Sequence, residues 1–163
     1  MKIISKMLLL LALCVTTTTL VHATPIIRSQ NNIVEIAVAN GNFTTLVAAV
    51  KAAGLVPTLT APGPFTVFAP TDAAFAKLPK GTIEFLLANV TELTKVLTYH
   101  VLASEKSPSQ LVRDSASLTV QGSELRARLN NSLQLVINNS LVVLKPIYAS
   151  NGVIYVIDTV LIP

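Results

Sequence analysis

The sequence predicts an α+β fold, on the strength of a change of pattern along the chain. Up to His100 the apolar residues recur at helical spacing, and from Leu118 onward they alternate with polar ones. Helices come first and a strand-rich meander closes the chain, which defines the class. Turn residues separate the periodic segments, and neither an internal repeat nor a low-complexity tract divides them, so one domain is expected.

Taken in order, the chain opens on a targeting segment. Lys2 and Lys6 form a basic n-region, Met7 to Val15 an apolar core, and Val21-His22-Ala23 a cleavage site. That core is well short of the roughly 20 residues a membrane-spanning helix needs. Residues 1–23 read as a signal peptide and the mature chain as starting near Thr24. The polar, proline-containing stretch 24–32 reads as a loose leader, with the leader at 24–30 and the domain at 31–163.

The first helix reads over Asn42 to Gly54. Phe43, Leu46, Val47 and Val50 share one face, Asn42 is placed to cap the start and Gly54 the end. Pro57, Pro62, Gly63 and Pro64 break the chain before an apolar strand, Phe65 to Ala69. Thr71 or Asp72 can N-cap a short helix through Leu78 that Pro79 stops. Further helices read over about Thr82 to Ala88 and from about Glu92, where Leu93, Val96, Leu97 and His100 line one stripe. Ser107 to Val112 reads as one more helical turn. Leu125, Ala127 and Leu129 then alternate with Arg126 and Arg128, and strands carrying Leu133, Leu135 and Ile137 and then Leu141 to Leu144 follow the asparagine pairs Asn130-Asn131 and Asn138-Asn139.

Of 163 residues, cleavage after Ala23 leaves 140, enough for one domain to bury a core without staples. The only cysteine, Cys14, departs with the signal, so disulfides, thiol catalysis and cysteine-ligated metal are excluded from the mature chain. The formal charge of +4 falls to +2, because two of the twelve cations leave and all eight acids stay. Arg126 and Arg128 are the densest basic spot, too little for nucleic acid. A C-terminal lipid-anchor signal is not visible, and a soluble, secreted, extracellular product without a transmembrane segment after processing is expected.

Three motifs remain. Thr66-Val67-Phe68-Ala69-Pro70-Thr71-Asp72-Ala73-Ala74-Phe75 joins a strand to a helix start, Tyr99-His100 ends a helical stripe, and Asn151-Gly152 leads into the closing strand Val153 to Pro163 with Asp158 in its middle. An acid in an apolar strand must be partnered or stay wet, and Thr66, Thr71 or nearby amides are candidate donors. In order and spacing the three motifs resemble the signature set of the fasciclin domain, over about residues 31–163. The resemblance implies N-terminal helices packed on a strand-rich β-wedge, with the first and last motifs as neighbouring core strands. It implies structural roles for Thr66, Pro70, Thr71, Asp72, Asn151, Gly152 and Asp158, and adhesion as the function. In that family the pair equivalent to Tyr99 and His100 has been proposed as an integrin-recognition motif. Read from its own stripe, His100 is instead a buried, hydrogen-bonded core histidine.

Glycosylation sequons stand at Asn42, Asn89, Asn130 and Asn138, with Asn130 and Asn138 at expected turn tips. Turn composition alone also produces such tripeptides. A single mature histidine, scattered acids and the lack of a Gly-x-Ser-x-Gly elbow argue against an enzyme, a metal site or a cofactor. The expected function is cell adhesion or extracellular-matrix association by binding. The partner would be a cell-surface receptor or matrix component, with self-association to supply valency. The alternative is an extracellular carrier of a lipid or other small hydrophobic ligand, which the 52% apolar composition permits.

Overall fold

The structure, a computed structural model, describes residues 28–163. The expected signal peptide and the start near Thr24 lie outside them. Helices α1 (Ile33–Asn40), α2 (Thr44–Ala52) and α3 (Val56–Thr60) precede strand β1 (Phe65–Pro70). Then come α4 (Asp72–Ala76), α5 (Thr82–Ala88), α6 (Val90–Tyr99), β2 (Val101–Leu102) and α7 (Pro108–Asp114). The meander is β3 (Ala116–Leu118), β4 (Glu124–Leu129), β5 (Leu135–Ile137), β6 (Ser140–Leu141), β7 (Ile147–Ala149) and β8 (Gly152–Ile157). The class is α+β, as the change of period implies.

Two four-stranded sheets form, in the orders β2-β1-β8-β7 and β3-β4-β5-β6. The first and last motifs pair in parallel at the centre of the first sheet, Phe65 opposite Gly152 through Pro70 opposite Ile157. Helices cover one face of that sheet and the second sheet covers the other, which is why β8 is buried along its whole length. The period of two then sorts the side chains. Val67, Ala69, Ile154 and Val156 join the helical core, while Phe68, Val153, Tyr155 and Ile157 join the strand core with Leu125, Ala127, Leu135 and Ile137. The sheets meet at their ends, where the Val143 amide donates to the Val156 carbonyl (2.9 Å).

Several elements differ from the sequence reading. Sequence periodicity assigns nothing to residues 33–41, yet α1 forms there behind a capping box in which Asn32 and Glu35 exchange side-chain and backbone bonds. Residues 57–64 were expected only to break the chain, but Pro57 sits in the first turn of α3, where a missing N–H costs nothing. Part of the expected loose leader is tied down: the Ser29 amide donates to the Tyr148 carbonyl, and Arg28 pairs with Glu105 at 2.7 Å. Leu133 does not extend a strand; it occupies a turn at φ 58° and is exposed, as is Leu129 at the end of β4. The turn into β8 consists of Ser150 and Asn151, since Ala149 already pairs with Gly152. Gly54, at φ 67°, ends α2 with the Gly54 amide on the Lys51 carbonyl and the Leu55 amide on the Val50 carbonyl.

Candidate functional site

The polar residues of the motifs act as clamps between element ends. Thr71 caps its own helix, its hydroxyl accepting from the Ala74 amide at 3.2 Å. Asp72, expected at the start of α4, instead caps α2. Its carboxylate accepts from the amides of Thr44 (3.2 Å) and Thr45 (2.8 Å) and from the Thr44 hydroxyl (2.7 Å). Partial burial alone would push this carboxyl up, but the Thr45 and Thr44 donors bring it below its ordinary value. Asn42 therefore is not the cap; its side-chain amide donates to Asn40 at 2.9 Å.

Asn151 joins three elements. Its Oδ1 accepts from the Ile33 amide at the start of α1, and its Nδ2 donates to the Leu59 and Ala61 carbonyls at the end of α3 (2.8 and 3.0 Å). Gly152 is required by close approach, because a Cβ there would run into the Phe65 carbonyl. Thr66, fully buried, donates to the Ser104 carbonyl (2.6 Å) and accepts from the Lys106 amide (3.0 Å). Pro70, where no ladder N–H is offered, ends β1 beside Ile157.

Asp158 lies just past the end of β8, half-buried, and neither Thr66 nor Thr71 reaches it. Its donors are the Leu141 amide (2.9 Å), the Thr159 hydroxyl (3.1 Å) and Lys77 (3.1 Å). Burial opposes its charge, and the Leu141 amide and Lys77 outweigh burial, so its carboxyl also falls below the ordinary value. The expected donors Thr66 and Thr71 are not used: the parallel register sets Asp158 alongside Thr71, but its carboxylate turns to the Leu141 amide of the second sheet and to Lys77 past the end of α4.

Tyr99 and His100 are core residues, 5% and 2% exposed. The His100 Nδ1 donates to the Val96 carbonyl (2.7 Å) and its Nε2 accepts from the Leu161 amide (3.0 Å), so one neutral tautomer satisfies both. Burial pushes its pKa down to about 4, against the smaller opposite pull of the Val96 carbonyl. The Tyr99 hydroxyl donates to the Glu124 carbonyl and accepts from Asn138 (2.9 Å). As direct contact residues for a partner of the folded chain, Tyr99 and His100 are thus corrected: neither reaches the surface.

The sequons divide in the same way. Asn42 and Asn89 are exposed and Asn130 is half-exposed at its turn, where its Oδ1 accepts from the Ser132 and Gln134 amides (both 2.9 Å). Asn138 points inward. The Nδ2 that would carry a glycan donates to Tyr99, and its Oδ1 accepts from the Arg126 amide (2.9 Å). That inward bond contradicts its expected role as a solvated glycan site.

Two surface features escaped the sequence reading. Helix α5 has no buried residue and exposes Phe85 (59%) and Leu87, followed by Val90 at the start of α6. A cavity of about 220 Å³ lies between α1, α2, α3 and the helical face of the first sheet. The signal for it was available only as small residues, Ala37 and Ala69, facing helices whose separation the sequence does not state. Among the described residues no helix is long and apolar enough to cross a membrane.

Residues 41–163 match the fasciclin domain. The chain is 49% identical over 131 residues to an uncharacterised protein of Synechocystis, covering 80% of this chain and 97% of that protein. It is 43% identical over 101 residues to a cell surface glycolipoprotein of Mycobacterium bovis, covering 62% of this chain and 44% of that protein. Its fold matches a domain pair from the insect cell adhesion molecule fasciclin I with a TM-score of 0.65 at 18% identity, over 82% of this chain and 51% of that one. The parallel pairing of the two outer motifs, the clamps that hold it and these matches lead to one conclusion: the chain belongs to the fasciclin-domain family.

Proposed function

We propose that this protein is a secreted adhesion module that binds a cell-surface receptor or a matrix component through its outer surface, without catalysing a reaction. The observation that carries this reading is the use of the motif residues. Thr66, Asp72, Asn151 and Asp158 are engaged in internal hydrogen bonds, and both nitrogens of His100 are occupied inside the core. Such a histidine is in no position to act as a general base. Apolar side chains stand outward instead on α5, where Phe85 and Leu87 take over the contact role once expected of Tyr99 and His100. Support also comes from the relatives, a mycobacterial cell surface glycolipoprotein and an insect cell adhesion molecule. Secretion begins the mature chain near Thr24, glycans sit on Asn42 or Asn130, since one on Asn89 at the end of α5 would cover Phe85, and self-association or a dense matrix multiplies one weak contact.

The test is adhesion of cells and of matrix proteins to surfaces coated with the purified protein. A Phe85→Asp, Leu87→Asp double variant with unchanged circular dichroism should lose most of the binding. Tyr99→Phe, which keeps the buried ring, should retain it. Equal binding by the double variant would sink the α5 assignment, and no binding by the parent chain would sink the adhesion reading.

A further inference from the structure

We propose that the cavity between α1, α2, α3 and the first sheet binds a saturated carboxylate of about eight to ten carbons, tail inward, with the carboxylate on Lys51. The proposal is independent of adhesion through α5. Its first support is chemical. Apolar side chains, among them Ile33, Val47, Val50, Leu59 and Ile154, line the cavity. A void with such walls stays dry, and the atoms around it lack contact partners on one side.

The second support is that the void is held open. Helices α1, α2 and α3, which line it, are each fixed at an end by a polar clamp, with Asn151 serving two of them. The capping box and Asn151 hold α1, Asp72 holds α2, and Asn151 Nδ2 holds the end of α3. Collapse of the walls to fill the space would break these bonds, so the space persists and is available to an occupant.

Size and charge select the occupant. An apolar cavity of roughly 150 Å³ accommodates benzene, or about 25 Å³ per carbon, which makes 220 Å³ room for about nine. The cavity's rim includes the exposed Lys51 and Thr58. Among the described residues Lys51 makes no ion pair, and an exposed lysine beside an apolar wall can lay its aliphatic stem along that wall with the ammonium in water. One cation and one hydroxyl suit a single carboxylate better than a doubly charged phosphate.

Calorimetric titration of the purified, delipidated protein with hexanoate, octanoate, decanoate and dodecanoate tests the site. Affinity should tighten about fourfold per methylene up to about ten carbons and then level off, with one molecule bound per chain. Lys51→Gln should weaken decanoate about three- to fivefold and leave decanol unchanged. Val47→Phe, which fills the space, should weaken both at least tenfold. Should that variant not fold, spin-labelled decanoate on the parent chain gives the same information. It should broaden the methyl resonances of Val47, Val50 and Ile154 before those of Leu125 and Ile137 across the sheet. Failure of decanoate to saturate, a folded Val47→Phe that binds like the parent, Lys51→Gln with undiminished decanoate affinity, or the reverse order of broadening would overturn the proposal.

Discussion

The two faces of the first sheet are built from the same strands and differ in how they are filled. On the strand face, β1 and β8 offer Phe68 and Tyr155, whose rings stack 5.7 Å apart, against the inward leucines and isoleucine of β4 and β5. The Tyr155 hydroxyl donates to the Lys106 carbonyl at 2.7 Å, so even its polar end is satisfied. On the helical face the same strands offer Val67, Ala69, Ile154 and Val156, and the helices opposite are fixed by caps rather than drawn in by bulk. The cavity lies on that side. Residue size at one parity of a strand, together with polar clamps at element ends, decides whether a face becomes solid core or a bounded space.

The largest expected effect lies on the strand face. Phe68→Ala should cost about 3–5 kcal/mol in urea unfolding, since the ring is fully buried against Tyr155 and the walls around it cannot close. Ile154→Val, on the cavity side, should cost about 0.5–1.5 kcal/mol. The matched truncation is Ile157→Val on the strand face, and a cost there no greater than that of Ile154→Val would erase the contrast between the faces.

Acid should act next, through His100. Its folded pKa of about 4 lies below the ordinary 6.5, so the folded chain keeps it neutral where the unfolded chain takes up a proton. The stability contributed is fully present above pH 6.5 and falls away as pH drops toward 4, by about 3 kcal/mol in all. Asp72 and Asp158 follow in a lower window, which opens at the ordinary carboxylate value and runs down through their depressed folded values. A pH series of chemical denaturation should show the first loss beginning near pH 6.5. His100→Gln should be less stable at neutral pH and flatter between pH 6.5 and 5, and an unchanged slope in that variant would assign the loss elsewhere.

What the sequence made legible follows from how locally each feature is determined. Alternation at Leu125 and Ala127 and the stripe of Leu93, Val96 and Leu97 were readable because neighbours in sequence share one face. The buried reading of His100 came from the same stripe. Asp72 was assigned to the wrong helix because a cap is read locally, whereas its amides belong to Thr44 and Thr45, 28 and 27 residues earlier. The α1 start rests partly on Asn151, 118 residues away, although the capping box at Asn32 and Glu35 was a local clue. The apolar composition permits a cavity but does not place one, since its position depends on the distance between helices and not on any one segment.

The clamps themselves give a smaller, matched pair of expectations. Asp72→Ala removes the α2 cap and should cost about 1–2 kcal/mol, with faster hydrogen exchange at the Thr44 and Thr45 amides. Asp158→Ala leaves the Leu141 amide without its side-chain acceptor and should cost about 1–2 kcal/mol, with the exchange change confined to the junction of the sheets. Exchange that quickens at the same amides in both variants would show that the two faces unfold as one unit.

The smallest expected effect, at Val50, belongs to the comparison that discriminates most finely, because one methylene is added to each face in turn. Val50 and Val153 are both buried, the first on α2 lining the cavity and the second on β8 within the strand core. Val153→Ile must push into side chains already in contact, and overpacking of that kind costs about 1–3 kcal/mol. Val50→Ile has space to enter. Its added methyl gains contacts that the cavity wall lacks, and its net effect should stay within about 0.5 kcal/mol of zero or stabilise slightly. Isoleucine and valine have similar helix propensities, so the comparison is not confounded by the position of residue 50 in a helix. Paired urea midpoints measure the difference directly. Equal destabilisation by the two substitutions would mean that the helical face is as tightly filled as the strand face, and the distinction between a solid core and a bounded space would fall with it.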